Sequence, residues 1–283
     1  MISPQEARKI ERFVVDYALG SGHHATTFVT VLDLDPPKIL EHRLTYYTRE
    51  GTLEVTPGQA VGKEMPGTTP AGREVRARET LKCFGCHATQ LSAHSVVELD
   101  PLLMIPSVTC ERCHGPGRAH VEAARRGAGA EDLSMPMGLE GWTVQSQLEL
   151  CGGCHRHPSR VPPEQLNAND PALARFQPIG LSQSRCFKES EGRLSCVSCH
   201  DPHARSSSDP AIYERVCLSC HEMPRKVTTG ETGHEMSHLA ATSVCPVSPT
   251  RGCVACHMPG VDSGQYVLFT DHWIGVRRPA PGM

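Results

Sequence analysis

The sequence predicts a mainly irregular fold with short α-helices, built around something other than its own side chains, and a small α+β region at the N-terminus. Three observations lead there. First, a chain of 283 residues carries only six Phe, five Tyr and two Trp, a thin supply for a side-chain core. Second, 25 Gly and 23 Pro break the chain into turns and loops. Third, 14 cysteines and 16 histidines are present, and twelve of the cysteines fall into six copies of one short pattern. The length suits one large domain or two ordinary ones.

Residues 1–80 contain no copy of the pattern. Ser3, Pro4 and Glu6 fit the S-x-x-E start of a helix with proline at its first position. Ile10, Phe13, Val14 and Tyr17 follow at helical spacing and Gly20 suits a stop, so a first helix is expected there. The stretches ATTFVTVLDLD, ILEHRLTYYT and TLEVT, bounded by PP, EG and PG, read as strands. No apolar run approaches the roughly 18 residues of a membrane span.

The six copies are CFGCH (83–87), CERCH (110–114), CGGCH (151–155), CVSCH (196–200), CLSCH (217–221) and CVACH (253–257). C-x-x-C-H is the attachment signature of c-type haem, and roughly 0.04 copies are expected by chance at this Cys and His content. Two cysteines three apart on a helical turn share a face and can bond to the two haem vinyl groups, while the adjacent histidine reaches the iron. The attachment cysteines are Cys83, Cys86, Cys110, Cys113, Cys151, Cys154, Cys196, Cys199, Cys217, Cys220, Cys253 and Cys256. The proximal histidines are His87, His114, His155, His200, His221 and His257. Zinc would use paired C-x-x-C units but gives no reason for a histidine after each of six, and a disulfide framework predicts no histidine. The expected organisation is a haem-free α+β cap over residues 1–80. A haem-packed hexahaem cytochrome c region follows over 81–283, with six covalently bound haem c and a C-terminal tail supplying a ligand.

Haem attachment of this kind takes place outside the cytoplasm, so a periplasmic or extracellular location is expected. The first residues show no apolar leader core, and a signal peptide is inferred to be missing from this numbering. Of 28 basic residues 22 are arginine, read either as bidentate partners of haem propionates or as solvated surface. The formal charge of −3 becomes more negative with six haems at about −1 each, which argues against a nucleic-acid partner.

Ten histidines lie outside the motifs: His23, His24, His42, His94, His120, His157, His203, His234, His238 and His272. His120 follows His114 by six residues in CHGPGRAH, and would have to pass around a whole porphyrin to reach the far face of the same iron. It is therefore assigned to a neighbouring haem, with Gly115, Pro116 and Gly117 shaping the turn. His203 in CHDPH follows the same logic, and His157 in CHRH is a weaker case. The alternative for any of them is a surface residue or a propionate hydrogen bond. Met258 directly follows its attachment histidine and cannot cross the ring. Cys186 and Cys245 are left over, read either as one disulfide or as two unreactive thiols.

CERCHGPGRAH followed by HVEAARRG resembles the CHGPG-x-x-H segment of multihaem cytochromes related to the tetrahaem cytochrome of ammonia-oxidising bacteria. GSGHHATTFV, YYTREGTLEVTPGQ, RFQPIGLSQSRCF, LSCVSCHDPH, CPVSPTRGCVACHMP and FTDHWI are similar to a broader bacterial group of such proteins. The resemblance implies haem pairs with mostly two histidines per iron, and implies distal ligands at His24, His120, His203 and His272, with His238 a further candidate. The chain departs from the tetrahaem relative in having six sites and a haem-free N-terminal region. It also lacks C-x-x-C-K, the variant at the active haem of ammonia-forming nitrite reductases.

The expected function is electron transfer along closely spaced, mostly bis-histidine haems, with redox proteins or other cytochromes as partners. One alternative is an oxidoreductase with an open haem acting on a small nitrogen or sulfur compound. Another is self-assembly as a subunit of a larger haem complex or polymeric wire.

Overall fold

In the computed structural model the described residues are 12–60, 62, 64–76, 78–91, 100, 103–133, 141–221, 244–262 and 266–276. The chain divides into two compact units, Met1–Glu140 with Gly264–Val267, and Gly141–Ser263 with Leu268–Met283.

The first unit is organised by an antiparallel sheet of β1 (Tyr17–Leu19), β2 (Ala25–Leu34), β3 (Pro37–Tyr47), β4 (Thr52–Val55) and β5 (Gly72–Arg76). Strands β1 to β4 pair in sequence order and β5 joins β3. The three stretches expected to be extended form β2, β3 and β4. The expected first helix is not present in its described part. Tyr17–Leu19 is a strand paired to Thr27–Val29, and residues 12–16 form no helix. Helical spacing is a local signal, and here tertiary partners override it. The Asp16 carboxylate accepts the Val31 N–H at 2.7 Å, and Tyr17 packs edge-on against Phe84 at 5.1 Å between ring centres. Residues 1–11 lie outside the described part.

One face of this sheet carries the core. Val31, Ile39 and Val75 stand in register across β2, β3 and β5, and with Val29 they meet Phe84, Ala88, Leu91 and Met104. Phe84 belongs to α1 (Arg78–His87), the helix that ends in the first attachment motif. Burying such a ring contributes about 1.5–3 kcal/mol, so the first variable residue of CFGCH anchors the motif to the sheet. Thr80 adds a buried hydroxyl bond to the Val75 carbonyl at 2.9 Å. This packing ties α1 to the sheet, and the division of the chain falls after Glu140 instead of near residue 80. A two-stranded ladder of β6 (Ala88–Gln90) and β7 (Ile105–Pro106) leads to α2 (Cys110–His114) and α3 (Arg118–Arg125).

The second unit holds α4 (Val144–His155), α5 (Gln177–Gln183), α6 (Arg185–Lys188), α7 (Cys196–Cys199), α8 (Pro210–His221), α9 (Cys253–His257) and the pair β8 (Gly260–Asp262) and β9 (Leu268–Thr270). Among its described residues the buried hydrophobic side chains are Leu148, Val161, Ala174, Ile179 and Leu181. Five such residues make a small core for a unit carrying four attachment motifs. No helix among the described residues is long and apolar enough to cross a membrane.

Gly72 is the tightest backbone crossing in the sheet. Its φ is +151°, and a Cβ there would stand 2.2 Å from the Glu41 carbonyl oxygen on β3. Gly72→Ala is expected to cost about 1–3 kcal/mol, read as a lower midpoint in thermal unfolding of the haem-loaded protein.

Candidate haem-binding sites

All six motifs lie on helical turns. Five helices close with the histidine (α1, α2, α4, α8 and α9), α2 and α9 being the motif itself, and α7 covers Cys196–Cys199 with His200 immediately after. A turn of helix is the conformation that brings cysteines three apart to one side. The twelve motif cysteines are half-buried or exposed and none is joined in a disulfide, which leaves them accessible for covalent attachment.

Neighbouring motifs touch. In the first unit the Arg112 guanidinium of CERCH donates to the Gly85 carbonyl of CFGCH at 2.7 Å. In the second, the Cys151 and Cys196 thiols hydrogen-bond to each other, which raises the pKa of Cys151 and lowers that of Cys196. The buried Glu214 of α8 accepts the Val254 N–H of α9 at 3.3 Å, and α7 packs on α8. The motif helices of this unit therefore follow one another in the order α4, α7, α8, α9. Within CGGCH, Gly152 cannot be enlarged, because a Cβ would meet the His157 backbone at 2.8 Å.

The histidine rings are oriented in a common way. A neutral imidazole that donates Nδ1–H keeps its lone pair on Nε2, the arrangement of most metal-bound histidines. Nδ1 of His257 lies 3.1 Å from the Gly275 carbonyl, and that of His155 lies 3.1 Å from Gln177 Oε1. Among the distal candidates, His120 Nδ1 stands 2.6 Å from the Leu133 carbonyl and His272 Nδ1 stands 2.9 Å from the Thr270 carbonyl. Carbonyl oxygens only accept, so both rings present Nε2 as the free ligand atom. The carbonyls of residues 133, 270 and 275 carry no sequence signal, because any residue type supplies a carbonyl.

The rings of His272 and His200 have centres 6.1 Å apart and planes 32° apart. A metal-bound imidazole nitrogen sits about 2 Å from the metal and about 1.1 Å from its own ring centre. Two imidazoles on opposite sides of one iron are thus about 6 Å apart, and the pair fits that span. Burial holds both rings below the ordinary histidine pKa, and the nearby His155 adds to the effect. Neutral rings at neutral pH are the form that binds iron.

The other predicted histidines differ. His24 is on the loop before β2, and burial lowers its pKa, with His23 contributing. His203 is exposed, with Nδ1 3.4 Å from Asp201. His157 Nδ1 lies 2.7 Å from Ser159 Oγ and 3.2 Å from the Ser159 nitrogen, and its buried Nε2 has no hydrogen-bond partner among the described residues. His42 packs in the sheet, with Nε2 2.9 Å from Thr30 Oγ1. His94, His234 and His238 lie outside the described residues. Beside His155, the Arg156 and Arg175 guanidiniums lie 4.1 and 5.2 Å from the centre of the Phe176 ring. They form a cationic spot suited to a carboxylate. Cys186 and Cys245 are both free, not joined in a disulfide. Cys186 interacts with Cys199, Cys217 and Cys220, and Cys245 with Cys253.

Residues 58–115 match the model of the family described as Cytochrome c554 and c-prime. The matched segment includes β5, α1 and α2 with the first two motifs, and it supports a multihaem c-type cytochrome with covalently bound haem c and an electron-transfer role. Neither a curated protein nor a solved structure matches the chain.

The free state of the two spare cysteines has a direct check. Alkylation of the haem-loaded protein, denatured without reductant, is expected to label Cys186 and Cys245 and none of the motif cysteines. If both stay unlabelled until reductant is added, they are disulfide-bonded.

Proposed function

We propose that the chain is a hexahaem c-type cytochrome that carries electrons between redox partners in the periplasm or outside the cell. The observation that carries this reading is the succession of attachment turns, each in contact with the next within its unit. Haem supplies a one-electron iron couple whose potential depends on axial ligands, burial and nearby charge. The protein's part is to fix the order and spacing of those irons.

The motif contacts support a route within each unit. Arg112 fastens the first two sites, while the Cys151–Cys196 contact, the packing of α7 on α8 and the Glu214–Val254 bond link the last four in sequence order. Six proximal histidines hold the irons, and His24, His120, His203, His272 and His238 supply distal imidazoles. His200 and His272 are assigned to one iron on the strength of their ring separation. Arg156 and Arg175 balance propionate charge near the third site. The relation to the tetrahaem cytochrome of ammonia oxidisers belongs to the same reading, supported by CHGPGRAH and the stretches that share its pattern.

Haem analysis of the secreted protein is expected to give six haems per chain, and electron paramagnetic resonance of the oxidised form only low-spin signals. A high-spin signal that responds to nitrite, hydroxylamine or nitric oxide would replace this function with catalysis at an open haem. In His120→Ala one haem is expected to become high-spin while all six stay attached. An unchanged spectrum removes His120 from the ligand set.

A further inference from the structure

We infer that Ser184, with Gly180, is a positioning residue for His272, holding the tail so that its imidazole reaches the iron of the 196–200 motif. The inference rests on the assignment of His272 and His200 to one iron.

Ser184 lies between α5 and α6 and is 1% exposed. Its hydroxyl accepts the Ile274 N–H at 2.8 Å, and its single proton points between the carbonyls of Gly180 at 3.0 Å and His272 at 3.2 Å. The partners on the tail thus flank Trp273, and one is the backbone of His272 itself. Gly180 seats the same segment from the helix side. A Cβ at that position would stand 2.6 Å from the Trp273 nitrogen and 2.7 Å from the His272 carbonyl carbon. A buried hydroxyl that satisfies a distant backbone N–H and carbonyl fixes that backbone, because releasing either leaves a buried group unpaired.

The clamped segment has two outputs. Its Thr270 carbonyl sets the His272 ring, and its Gly275 both accepts from His257 Nδ1 at 3.1 Å and donates to the His257 carbonyl at 3.3 Å. Asp271 N–H adds a bond to the Pro259 carbonyl at 3.0 Å. One anchor at Ser184 therefore holds a distal ligand for one site and the orienting acceptor for the proximal ligand of another.

The test compares His272→Ala, Ser184→Ala, Ser184→Cys and Gly180→Ala in the haem-loaded protein, reading haem content, spin state and response to imidazole. His272→Ala is expected to show a high-spin ferric signal of up to one haem per chain, with all haems attached, that added imidazole returns to low spin. Ser184→Ala and Gly180→Ala are expected to give the same imidazole-reversible signal, and Ser184→Cys, which keeps a weak donor and acceptor, a smaller one. A general loss of packing would instead lower haem content or disturb signals of haems other than those held by His200 and His257, and that outcome would overturn the positioning role. It is equally overturned if His272→Ala turns one haem high-spin while Ser184→Ala and Gly180→Ala remain wholly low-spin. If His272→Ala itself stays low-spin, the ligand assignment fails first and the inference falls with it. Should Ser184→Ala not accumulate, Gly180→Ala decides by the same criteria.

Discussion

Everything in this chain depends on presenting a cysteine pair, three residues apart, and a histidine from one turn of helix, six times over. Such a turn is too short to be stable alone, since helix nucleation costs more than the few bonds it gains. Each must therefore be held by something outside itself. The first is held by Phe84, buried against Val31, Ile39 and Val75. The second is held by Arg112, which reaches the backbone of the first at Gly85. The third ends a longer helix whose Leu148 is buried, and the last leans through Val254 on Glu214 of α8. The variable residues of C-x-x-C-H are thus not filler, because Phe84, Arg112 and Gly152 each do something that a different residue there would undo.

A second constraint acts on the rings. Nε2 is available to a metal only if Nδ1 carries the proton, and an acceptor must be placed to hold it there. His155, His257, His120 and His272 have such an acceptor. Three of the four are backbone carbonyls, and two of these, of residues 133 and 275, require a loop to pass at the right height, while Thr270 ends β9. That gives the many Gly- and Pro-rich connections a purpose, since irregular backbone has carbonyls to spare where helices and strands do not.

The sequence made the motifs legible because their chemistry is local. Five residues carry the whole signal, and their helical turns follow from the spacing. Strands β2 to β4 were legible for the same reason, from β-branched residues between turn pairs. The N-terminal helix failed because Phe13, Val14 and Tyr17 satisfy helical spacing while the Asp16–Val31 bond and the Phe84 ring draw the segment into the sheet. Ser184 falls in the stretch RFQPIGLSQSRCF, but its role was silent, since its partners lie 88 and 90 residues away. The free state of Cys186 and Cys245 depends on distance, which spacing does not carry.

The tail shows why this architecture tolerates so little side-chain core. A conventional core fixes an element by covering it with apolar area, and the second unit has little of that. Here the segment from Thr270 to Gly275 is fixed by backbone bonds to Ser184, Pro259 and His257, each buried or half-buried, and by close contact at Gly180. Such bonds are worth about 0.5–1.5 kcal/mol apiece but several times that in selectivity, since no neighbouring register satisfies them all. Directional bonds hold ring positions more tightly than apolar contact does, and ring position is what a metal-ligating imidazole demands.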